Sequence, residues 1–89
     1  MATKFQKMVK EKKELLIQAL KEDGWEENRY GHMVVKKEGR TLRMKFMPRV
    51  VRYEVKTSSG DWARFRSAEY ENIKISKSNG SLMLSGFHR

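Results

Sequence analysis

Phe5, Met8, Val9, Leu16, Ala19 and Leu20 recur at three- and four-residue steps, with Lys12 interrupting the stripe. That period predicts an amphipathic helix over residues 4–23. Thr3 followed by Gln6 fits a capping box, in which hydroxyl and amide each satisfy an orphan backbone N–H. Gly24 suits the left-handed conformation that ends a helix, with Trp25 packing back.

From Tyr30 onward the period drops to two. Leu42, Met44 and Phe46 alternate with Arg43 and Lys45; Val51, Tyr53 and Val55 alternate with Arg52, Glu54 and Lys56. Ala63 and Phe65 alternate with Trp62, Arg64 and Arg66. Such alternation marks antiparallel strands with one face on a core and one in water. Strands are predicted over residues 30–37, 40–47, 50–56, 62–67, 72–76 and 82–86, with tight turns at Glu38-Gly39 and Ser78-Asn79-Gly80. The predicted architecture is an α+β fold, a single domain over residues 1–89. Its N-terminal amphipathic helix packs on one face of a twisted antiparallel β-meander of four to six strands.

Register follows from the rule that inward residues oppose inward residues. A hairpin through residues 57–61 pairs Val55 with Ala63 and Tyr53 with Phe65, and outside pairs Glu54 with Arg64 and Arg52 with Arg66. A loop over residues 47–50 pairs Phe46 with Val51 and Met44 with Tyr53, setting Lys45 beside Arg52 and Arg43 beside Glu54. Through Glu38-Gly39, Val35 meets Leu42, setting Val34 beside Arg43 and His32 beside Lys45. Two outward rows result. Val34, Arg43, Glu54 and Arg64 form an ion-pair ladder. His32, Lys45, Arg52 and Arg66 contain no acid.

Like charges directly opposite each other cost roughly 0.2–1 kcal/mol per pair, so the second row is a local conflict that a bound anion would relieve. Arg49 in the loop and Trp62 at the strand start are expected to flank this face. The plainer account is a solvated basic surface, with Trp62 turned inward as core.

Charge adds weight to the same segment. The 89 residues carry 20 Lys and Arg against 11 Asp and Glu, for +9. Residues 1–28 are neutral, whereas residues 29–66 hold eleven cations against Glu38, Glu54 and Asp61, leaving +8. Seven of the eight arginines lie in that middle segment, and arginine is the better fork for phosphate or carboxylate oxygens.

Other chemistry finds little support. Without cysteine there is no thiolate metal site or thiol nucleophile. His32 and His88 sit in no metal-ligand spacing, and there is no phosphate-cradling glycine loop or G-x-S-x-G. Glu54-Val55-Lys56 matches half of a metal-dependent nuclease pattern, but the companion acid is missing. No apolar run approaches a membrane span, and no signal-peptide stretch opens the chain. The expectation is a cytoplasmic nucleic-acid-binding domain without catalysis or cofactor, contacting phosphates through Arg43, Lys45, Arg49, Arg52, Arg64, Arg66, Trp62 and His32. Single-strand binders present several aromatic platforms, and the shortage here favours a duplex. The alternative is a phage- or mobile-element-type adaptor or inhibitor docking an acidic protein. Phe5, Met8 and Val9, together with an unpaired C-terminal edge, also suggest a homodimer.

Overall fold

The computed structural model describes residues 3–88. Its α-helix, α1 (Lys4–Glu22), opens on the capping box: the Thr3 hydroxyl accepts the Gln6 amide and Gln6 Oε1 accepts the Thr3 amide, each at 3.1 Å. It closes where Gly24 takes φ +98, with Trp25 N–H donating to the Leu20 carbonyl at 2.9 Å and Gly24 N–H to Lys21 at 3.1 Å. This is the Schellman arrangement, and it carries the Trp25 ring back into the core beside Leu20. Asp23 follows the helix and accepts from Lys37 at 2.7 Å. That bond holds the Asp23 carboxyl below its ordinary range.

The chain then runs through β1 (Glu26–Glu27), β2 (Met33–Lys37), β3 (Arg40–Phe46), β4 (Val50–Lys56) and β5 (Trp62–Glu69), which pair antiparallel in that order. A 3-10 turn, Tyr70–Asn72, leads to β6 (Lys74–Ser78) and β7 (Ser81–Ser85), which pair only with each other among these strands. The fold is the expected α+β arrangement, with three departures.

First, β1 has no apolar pattern and was not expected. Second, the strand expected from residue 30 begins at Met33. Asn28 Oδ1 accepts the amides of Tyr30 and His32 at 2.9 and 3.0 Å, bending residues 28–32 into the β1–β2 loop. Side-chain capture of nearby amides competes with strand pairing in this way. Third, the last two strands leave the meander as a separate hairpin, because the 3-10 turn redirects the chain after β5. Its turn at Asn79-Gly80, like Glu38-Gly39, has positive φ at both central residues, as a two-residue hairpin requires.

Packing explains the layers. Leu16, Leu20, Trp25, Met33, Met44, Phe46, Val51, Ala68, Tyr70 and Ile73 form the core between α1 and the inner face of the sheet. Full burial of a Leu-sized side chain contributes about 1.5–3 kcal/mol. Lys12, which broke the apolar stripe, donates to the Ile73 carbonyl at 2.8 Å. Tyr70 is buried with its hydroxyl donating to the Met47 carbonyl at 2.7 Å, and burial pushes its phenol up to about 12. The β6–β7 hairpin brings Leu82 and Leu84 to the same core. The helix and hairpin thus both lie against the inner face. The opposite face of β2–β5 is left to its own side chains. Among the described residues no helix is long and apolar enough to cross a membrane.

Candidate functional site

The outer face is fixed by the β3–β4 register, which pairs Arg43 with Glu54, Lys45 with Arg52 and Met44 with Tyr53. Val34 opposes Arg43 across β2–β3. These pairs match the sequence expectation.

At β5 the expectation fails halfway. Val55 opposes Ala63 and Glu54 opposes Arg64, but Tyr53 then opposes Arg66, leaving Phe65 as the extra residue of a bulge. A bulge reverses the facing of everything beyond it. Arg52 therefore opposes Ser67, and Arg66 is on the Tyr53 side, its guanidinium 5.1 Å from the Phe65 ring centre. Phe65 packs on Tyr53 at 5.7 Å between ring centres but stays 47% exposed, so it is a rim residue and not the core residue expected.

The acid-free row is also corrected. Glu54 is only 3% exposed, although it stands on the outer face. Its Oε1 accepts from Arg43 Nε at 2.8 Å and Nη2 at 2.6 Å, and its Oε2 lies 3.5 Å from Arg52 Nη2. One carboxylate thus engages both arginines, and Arg52 is not free of counter-charge. Arg52 Nε is buried with no hydrogen-bond partner among the described residues. Charge-assisted bonds of 2.6–2.8 Å are the strong kind.

Trp62 supplies the cover. Its ring centre is 4.2 Å from the Arg43 Cζ and 6.0 Å from Lys56 Nζ. Trp62 opposes Lys56, so it stands on the outer face and not in the core. A guanidinium on an indole face is a favourable cation–π pair, and here it occupies a surface that a base would need for stacking.

His32 plays another part. Its Nδ1 accepts the Phe46 amide at 3.1 Å, which places the ring proton on Nε2. The imidazole thus satisfies an amide of β3 just before β2 begins. Burial, followed by the nearby charges of Arg43, Lys45 and Lys13, holds the His32 imidazole below its usual range. Arg49, in the loop before β4, lines open grooves with Phe5 of α1 and with Val50 and Glu69 at the border of the face.

The structure therefore brings together Arg43, Lys45, Arg52, Arg64 and Trp62. It assigns His32 to the sheet edge, leaves Arg49 in the loop at the border of the face and removes Arg66. It adds Lys36 and Lys56, which the pairings Lys36–Thr41 and Lys56–Trp62 set on the outer face. Both were visible in the alternation, as even-numbered neighbours of Val34 and Glu54. Ser67, brought beside Arg52 by the bulge, was missed too. Its signal was a parity switch, since the inward residues are Ala63 and Phe65 before it but Ala68 and Tyr70 after it. Among the described residues no group of three His, Asp or Glu side chains is placed to hold a metal ion. No family model, curated protein or solved structure matches the chain.

Proposed function

We propose that the chain is a nucleic-acid-binding domain that contacts the phosphates of a duplex through the outer face of its sheet. One observation carries this reading. Lys36, Arg43, Lys45, Arg52, Lys56 and Arg64 share that face. Glu54, the acid that stands in their midst, is buried beneath two arginines. Glu26 and Glu69 lie at the borders of the face. Phosphate contacts from arginine and lysine supply most non-specific affinity, and a twisted sheet can present them.

Duplex is favoured over single strand because the face offers no free stacking platform. Trp62 is covered by Arg43, and Tyr53 and Phe65 pack against each other on the opposite side. Tyr30 is 69% exposed but stands in the β1–β2 loop with Arg29 over its ring.

Titration of a fluorescent duplex and the matching single strand at several salt concentrations tests this. Contacts with ~4–6 phosphates give a log–log salt slope of about −4 to −5 on duplex. Equal affinity for the single strand would reject the duplex preference. Absence of salt-dependent binding to either, with nuclease-resistant capture of an acidic protein, would replace nucleic acid with a protein ligand.

A further inference from the structure

A carboxylate on a phosphate-binding surface should weaken binding, because it repels the ligand. Glu54 stands in the middle of the face proposed for phosphates, which makes its burial and its two arginine contacts the feature to explain. Its Oε1 takes two donors from Arg43, and its Oε2 faces Arg52. The Trp62 ring centre lies 4.2 Å from the Arg43 Cζ. Arg43 is consequently held by both a carboxylate and an indole. Arg52 is tethered only at 3.5 Å and keeps a buried Nε without a partner among the described residues. Long basic side chains normally lose rotamer freedom when they bind, and holding them in place beforehand removes that cost.

We propose that Glu54 is a positioning residue of the phosphate-contacting face: it fixes Arg43 and Arg52 in one arrangement, so that removing its negative charge weakens duplex binding. This rests on the phosphate reading above. Simple charge counting gives the opposite result, since Glu54→Gln raises the net charge by one.

The test compares wild type, Glu54→Gln and Glu54→Asp on one fluorescent duplex across a salt series, with folding checked by circular dichroism. Both variants are expected to bind roughly tenfold more weakly. The Glu54→Gln salt slope should shrink by about one contact, near 0.9 in log–log units. Glu54→Asp keeps the charge and shortens the side chain, so a purely electrostatic role predicts no change for it. Undiminished or tighter Glu54→Gln binding overturns the role of Glu54 alone. A wild-type chain that ignores duplex at every salt concentration overturns the phosphate reading instead. Should either variant fail to fold, arginine Nε–H relaxation in the wild type decides. Arg43 and Arg52 should be ordered while Arg64 stays below an order parameter of about 0.6. Equal mobility in all three refutes the positioning role.

Discussion

The Phe46 amide donates to His32 Nδ1 at 3.1 Å, so a side chain satisfies β3 just before β2 begins. Protonating Nδ1 would set a donor against a donor. Burial, and after it the charges of Arg43, Lys45 and Lys13, disfavour a second proton, against a smaller opposing pull from Glu54. The imidazole is held below its ordinary 6.5 in the folded chain. The unfolded chain therefore binds the proton first as pH falls. Stability from this site is complete above about pH 6.5 and is lost as pH drops through the folded value. Thermal unfolding should show a lower midpoint at pH 5 than at pH 7.5. His32→Asn, whose Oδ1 can accept the same amide without titrating, should lose most of the histidine part of that difference. An unchanged pH profile in His32→Asn would remove His32 as its source.

The bulge makes a prediction about binding that the uninterrupted register would reverse. Arg66 stands opposite Tyr53 and beside Phe65, on the inner side of the sheet, while Arg52 stands on the outer face opposite Ser67. Arg52→Ala should weaken duplex binding by roughly tenfold and reduce the salt slope by about one contact. Arg66→Ala should change affinity by less than about twofold, although both variants remove one positive charge. Equal losses would mean that only total charge matters, and the face would lose its meaning.

How far the sequence reached depended on how much each strand commits its parity. Leu42, Met44 and Phe46 face Val51, Tyr53 and Val55, three large apolar residues on each side. A one-residue slip there would expose all of them, so the β3–β4 pairing was legible. In β5 the stretch from Trp62 to Arg66 alternates without a break, and an inserted residue changes nothing visible inside it. Only the demand that Ala68 and Tyr70 be buried exposes the slip. The face inherited that error, because Arg66 was placed on it by continuing the alternation. Glu54 was read as one rung of a ladder for a related reason: the sequence gives backbone opposition, whereas the reach of Arg52 to its own neighbour two residues on is a side-chain matter. The separate β6–β7 hairpin was illegible in another way. Its alternation was correct, yet alternation does not say which sheet a strand joins.

Gly86 and Gly60 separate two ways in which a glycine is required. Both have positive φ, +96 and +91. A Cβ at Gly60 meets nothing within 4 Å, whereas one at Gly86 would overlap the Asn72 carbonyl and its carbon. Gly60→Ala therefore bears only the backbone strain, roughly 1–2 kcal/mol. Gly86→Ala adds a backbone collision that no rotamer can relieve, for a total of about 2–5 kcal/mol. The crossing at Gly86 is what lets the chain return to the sheet. Phe87 then meets Tyr53 at 6.3 Å between ring centres, and His88 exchanges both backbone hydrogen bonds with Ser67 at 2.8 and 2.9 Å. Urea unfolding of the two variants should therefore differ in midpoint, with Gly86→Ala much the weaker. Hydrogen exchange at the Ser67 amide should rise in Gly86→Ala and not in Gly60→Ala, because only the former displaces its His88 partner. Equal midpoints and equal protection would show that the backbone can shift at Gly86, and that the closure of the C-terminal segment on β5 does not depend on that glycine.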